Sequence, residues 1–141
     1  MIKGISIAEV EYLASTLARE LMSYNEPIPD FTSRFPNILE SCLMNPFQTF
    51  SKKPLYKGII GKAAILFYLM VKNHPFQNGN KRIAMTTLFV FLYKNKKWLK
   101  VDPKELYNFS VWIAQSNPKL KRNTVQAIET FINTYLVGLK G

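Results

Sequence analysis

Apolar residues along the chain recur at helical intervals. Val10, Leu13, Ala14, Leu17 and Leu21 follow a capping-box pair, Ser6 and Glu9, and predict a first helix to about Tyr24. Pro27, Pro29 and Pro36 interrupt the next stretch, and Pro36 suits the first turn of a short helix through Ile38, Leu39, Cys42 and Leu43. Asn45 to Tyr56 reads as irregular or weakly extended, and its Phe47-Gln48-Thr49-Phe50 is the one convincing strand-like run expected in the chain. From Lys57 to Lys72 the residues are apolar on nearly every side, the pattern of a central helix buried all round. His74-Pro75 ends that helix, because a residue before proline is pushed out of helical geometry. Asn78-Gly79 signals a turn, and Asn80 suits an N-cap for a second apolar helix, Ile83 to about Tyr93. Asp102-Pro103-Lys104-Glu105 opens another helix, and Val125, Ile128, Ile132, Leu136 and Leu139 mark a last one. The expected fold is all-α, a compact bundle of about six helices with a short flap before the central one, in a single domain over residues 1–141.

Composition narrows the class. Hydrophobic residues make up 48% and charged residues 20% of 141 residues, an ordinary globular balance. The longest apolar run, Ile59 to Val71, is too short to span a bilayer and contains Lys62. No basic-then-apolar leader opens the sequence, and a lone cysteine, Cys42, forms no internal disulfide; both fit a cytoplasmic location. Charge is unevenly distributed. No carboxylate stands between Glu40 and Asp102, a window with eleven lysines and arginines, whereas the remainder is close to neutral. Such a one-sign field attracts anionic partners.

Candidate chemistry concentrates where the two most apolar helices meet. His74, the only histidine, lies in the turn between them, and the second helix opens with Asn80, Lys81 and Arg82. A helix amino terminus offers unsatisfied amides and a positive dipole end, so an anion there gains hydrogen bonds and two full charges. Gly79 permits close backbone approach or a positive φ. A base beside a phosphate cradle suits transfer of part of a nucleotide to a hydroxyl. Plainer readings exist: a histidine at a helix end commonly caps or packs, and Asn-Lys-Arg can be a cap followed by two solvated charges. Lys and Arg are nevertheless the wrong sign for a helix amino terminus, a local conflict expected where an anion normally sits.

His74-Pro75-Phe76-Gln77-Asn78-Gly79-Asn80-Lys81-Arg82 resembles the signature of the Fic/Doc superfamily, specifically its death-on-curing (Doc) branch, H-x-F-x-[DN]-[AG]-N-K-R. The likeness extends over about Arg34 to Ala114. It implies an all-helical fold in which a loop and helix amino terminus bind ATP. By resemblance, His74 is the general base on a target hydroxyl and Phe76 anchors the loop in the core. Gly79 and Asn80 supply the anion hole, and Lys81 and Arg82 hold phosphates. Phe47, Gln48, Thr49 and Phe50 lie in a flap that pairs with the target segment as an added strand.

Two positions bear on the reaction the resemblance implies. AMP-transferring relatives carry glycine where this chain has Lys81 and a second arginine where it has Met85. The Doc branch instead transfers the terminal phosphate, its known target is a threonine of translation elongation factor Tu, and the outcome is growth arrest. Many relatives bind Mg²⁺ through a carboxylate where this chain has Asn78, a weaker, neutral ligand. Some relatives carry an inhibitory helix; its nearest counterpart, Thr16 to Glu20, reads better as an ordinary amphipathic helix, so a separate antitoxin is the expected control. The alternatives are AMP transfer to a protein hydroxyl and a catalytically weak or non-enzymatic basic module. Lysines far outnumber arginines and no nucleic-acid-binding motif stands out, so nucleic acid is not the expected partner.

Overall fold

The computed structural model describes residues 1–21 and 28–139. Among these, six helices and two short antiparallel sheets follow one another. Helix α1 covers residues 7–21 as α-helical Ile7–Glu9, π-helical Val10–Ala14 and α-helical Ser15–Leu21. Then come α2 (Pro36–Met44), the hairpin β1 (Thr49–Phe50) and β2 (Lys53–Pro54), α3 (Gly58–Lys72) and α4 (Asn80–Lys94). Strand β3 (Lys97–Leu99), α5 (Pro103–Gln115), α6 (Lys121–Tyr135) and β4 (Leu136–Gly138) complete the described chain. The part of the first helix expected between residues 22 and 24 lies outside the described residues.

Helix α3 is the axis of the molecule. Every residue from Gly61 to Val71 is buried, as its unbroken apolar character requires, and α2, α4, α5 and α6 pack around it. Helix α4 runs beside it with Ile83, Met85, Leu88, Phe91 and Leu92 in the core. Helix α1 lies against α4. Its π-helical turn was not legible from apolar spacing; there the Ala14 carbonyl accepts a 2.7 Å hydrogen bond from the Thr86 hydroxyl of α4. The capping box forms as expected, with the Glu9 amide donating to Ser6 Oγ and Glu9 Oε1 accepting from the Ser6 amide. Lys94 Nζ binds the Gly4 carbonyl at 2.6 Å and Glu9 Oε1 at 2.7 Å, fastening the amino-terminal segment to the end of α4.

Two expectations are corrected. Strand-like structure is not confined to the flap: β3 pairs with β4, Trp98 opposite Val137 and Leu99 opposite Leu136. The last helix therefore stops at Tyr135 and does not reach Leu139. Leu136 and Leu139 keep a helical interval, but the intervening Val137-Gly138 favours helix poorly, and the edge of β3 offers the backbone an alternative set of partners. The Leu139 amide donates to the Lys96 carbonyl at 2.9 Å, closing that ladder. No helix among the described residues is long and apolar enough to cross a membrane.

Candidate active site

The loop between α3 and α4 is set by three backbone events. Helix α3 ends at Lys72 with Asn73 as its C-cap, and His74 then adopts a left-handed conformation, φ 49°. A non-glycine residue there costs about 1 kcal/mol, and such strain gathers at functional sites. The turn leaves the His74 side chain exposed. Pro75 is buried, and its carbonyl accepts from the Phe35 amide at 2.8 Å. Gly79, also left-handed at φ 70°, stands at the cap position just before α4 in a geometry that a side chain would strain.

Phe76 is only 2% exposed, with its ring 5.8 Å from that of Phe31. Arg34 covers the Phe31 ring at 4.4 Å and donates to the Phe31 carbonyl. The segment from Phe31 to Phe35 thus clamps the loop from outside. The sequence pattern does not reveal Phe31 and Phe35, because they sit in a proline-interrupted stretch with no periodicity to betray them.

Asn80 corrects a further expectation. It is the first residue of α4, not its cap, and its side chain turns back into the loop. Oδ1 accepts from the Phe76 amide at 2.9 Å, and Nδ2 donates to the Phe76 carbonyl at 2.8 Å. With Asn80 buried, both backbone polar groups of Phe76 are satisfied by one amide side chain. The Asn80 side chain therefore braces the loop, with both its polar atoms committed to the Phe76 backbone. No side-chain cap forms at the start of α4. Lys81 is half-buried there, whereas Arg82 is 4% exposed. Met85, one turn on, is fully buried. Gln77 and Asn78 are exposed on the outer side.

The flap is a two-stranded hairpin. Thr49 lies opposite Pro54 and Phe50 opposite Lys53, and the turn residues Ser51 and Lys52 both have positive φ. Phe47 sits in a short 3₁₀ turn before it. The root is held by Lys62, the one charge in the apolar run: buried on α3, it donates to the Tyr56 carbonyl at 2.6 Å and lies 5.7 Å from the centre of the Phe47 ring. Lys62→Met is expected to destabilise the protein by about 1–3 kcal/mol, since it leaves a carbonyl without its charged partner. Denaturant unfolding checks this. Two adjoining hollows on α2 connect the flap to the loop. One, about 350 Å³, is lined by Asn37, Ile38, Ser41 and Asn73; the other, about 320 Å³, shares Asn37 and Ser41 and reaches Gln48 past Glu40, Met44 and Asn45.

The donor set does not amount to a magnesium site of the protein's own. Asn78 offers one neutral oxygen, and among the described residues no group of three His, Cys, Asp or Glu side chains converges. Mg²⁺ is ordinarily held by one or two carboxylates together with phosphates and water. Cys42 is no nucleophile either, because burial pushes its thiol up to about 11.

The loop thus presents an exposed imidazole, a helix amino terminus without a side-chain cap and a half-buried lysine, while the hollows on α2 reach Gln48, just before the hairpin, and Asn73, just before His74. Searches of curated proteins and of solved structures return no match. A family model does match: the Fic/DOC family model covers residues 5–92, which runs from the start of α1 almost to the end of α4 and includes the flap and the whole motif loop. Members of that family are nucleotide-transferring enzymes that generally use ATP with a divalent metal. With more than half its length matched, the chain belongs to the Fic/DOC family.

Proposed function

We propose that this protein transfers the terminal phosphate of ATP to a serine or threonine hydroxyl of a protein target, in the manner of the Doc branch. The observation that carries the reading is the pair Lys81 and Met85. Where AMP-transferring relatives have glycine, this chain places a half-buried lysine; where they have a second arginine, it has a methionine sealed in the core. A lysine there narrows the approach to the α4 backbone and adds charge beside the place where phosphate would lie. That favours binding the nucleotide with its terminal phosphate toward His74.

Chemically, the target oxygen attacks the γ-phosphorus while the bond to the β–γ bridging oxygen breaks and ADP departs. The hydroxyl proton passes to the His74 imidazole. The first-turn amides of α4 and the Lys81 ammonium stabilise charge on the transferred group, the electrostatic role that dominates phosphoryl transfer. Mg²⁺ arriving with ATP would be held by phosphates and water, with Asn78 as a supplementary neutral ligand. By resemblance, the target is elongation factor Tu, the consequence is arrest of translation, and a separate antitoxin restrains the enzyme in the cytoplasm. The basic window from residue 41 to 101 suits an acidic, disordered antitoxin segment that folds on binding.

Two measurements test the reading. With ATP labelled at either the γ or the α position, label is expected on the target from γ alone; transfer from α would establish AMP transfer instead. Asn78→Asp supplies the missing carboxylate and is expected to tighten dependence on Mg²⁺ and raise the rate. Identical kinetics of the two proteins across a Mg²⁺ titration would remove residue 78 from any metal role.

A further inference from the structure

The hairpin has two different edges. The Leu55 amide donates to the Gln48 carbonyl at 3.0 Å, which makes that opposed pair hydrogen-bonded. In antiparallel pairing such pairs alternate, so the next one, Thr49 opposite Pro54, is non-hydrogen-bonded and its backbone groups point outward. On β1 the outward groups are the Thr49 amide and carbonyl, a complete docking unit for another strand. On β2 they reduce to the Pro54 carbonyl, because proline has no amide. One edge is open to pairing and the other is blunted.

Charge on the hairpin is equally one-sided, although Lys53 and Lys57 belong to the β2 side and only Lys52, in the turn, borders both edges. Lys52, Lys53 and Lys57 are all exposed on the turn, the second strand and the root, with exposed Phe50 and Leu55 among them. Glu40 lines the α2 groove that leads from Gln48 toward Asn73, the sequence neighbour of His74. An extended segment paired with Thr49 would therefore meet lysines at the hairpin and a carboxylate along α2.

We infer that the flap selects its target by charge as well as by backbone pairing: β1 receives an extended segment through Thr49, and acidic residues of that segment near the turn are drawn by the positive field of Lys52, Lys53 and Lys57. This rests on the reading of the hairpin as the place where a protein target docks. It adds where along the segment the carboxylates belong, at the hairpin side of the acceptor hydroxyl and not along α2.

The experiment uses fluorescent peptides with a central threonine, carrying acidic, neutral or basic residues on one side or the other, and reads binding to the intact protein by anisotropy. Acidic residues on one side only are expected to tighten binding by about tenfold over the neutral peptide, with the gain lost at high salt. Lys52→Glu/Lys53→Glu/Lys57→Glu is expected to reverse the preference, whereas Lys119→Glu/Lys121→Glu/Arg122→Glu, an equally basic exposed cluster elsewhere, leaves it intact. Thr49→Pro removes only an outward amide, and Gln48 already has the backbone a residue before proline needs, φ −66° and ψ 147°. That variant is expected to melt like wild type and to lose binding to all three peptide classes. Equal binding of acidic, neutral and basic peptides, a preference shared by both charge-reversed proteins, or undiminished binding by Thr49→Pro would overturn the inference. Labelled ATP separates this from the transferase reading: transfer without charge preference sinks the inference alone, and charge-selective binding without transfer sinks the transferase reading alone.

Discussion

His74→Ala is expected to reduce phosphate transfer by about a hundredfold to ten-thousandfold while leaving the fold and ATP affinity close to wild type, the usual contribution of a positioned general base. The side chain is exposed, and no core contact depends on it. Only its backbone is special: at φ 49° the position tolerates glycine better than any other residue. His74→Gly should therefore be as inactive as His74→Ala and keep its stability within about 1 kcal/mol of wild type. Purified proteins assayed with γ-labelled ATP and unfolded in urea give both readings. Comparable loss of rate and of stability in both variants would make His74 a structural residue. In a bacterial host, wild type is expected to arrest growth on induction and His74→Ala to permit it.

Asn80→Ala is expected to cost about 2–4 kcal/mol of stability, the largest single effect in the loop, because it strands the buried amide and carbonyl of Phe76 together. Asn80→Asp separates the two bonds. It keeps an acceptor for the Phe76 amide but presents a second oxygen to the Phe76 carbonyl, so it should also be destabilised. Denaturant midpoints measure both. If Asn80 acted only as a phosphate ligand, Asn80→Ala would lower ATP affinity and leave the midpoint unchanged. Affinity and midpoint are both expected to fall, since the loop that presents the α4 amides is held by that side chain.

The α3 helix was legible because burial on all sides leaves an unbroken apolar run, and the loop because His74-Pro75 and Asn78-Gly79 are local stop and turn signals. What escaped was decided by partners distant in sequence or by competition between partners. Asn80 has the residue type and position of an N-cap, and nothing local says that its amide will prefer the Phe76 backbone. Leu136 and Leu139 continue a helical interval that the edge of β3 overrides. The clamp from Phe31 and Phe35 joins two non-periodic segments some forty residues apart in sequence, which only the folded chain brings together. The flap was visible as a strand-like run, but which of its edges is open depends on hydrogen-bond phase, and that is set by the register with Pro54.

The amino-terminal turn of α4 and its preceding loop are expected to form the seat for ATP. Backbone amide shifts during an ATP titration locate such a seat residue by residue. The expected result is a saturable set of changes centred on Gly79, Asn80 and Lys81 and extending to His74, with the cleft between α5 and α6 near Trp112 unmoved. Changes concentrated in that cleft, or none in the loop at saturating nucleotide, would contradict it.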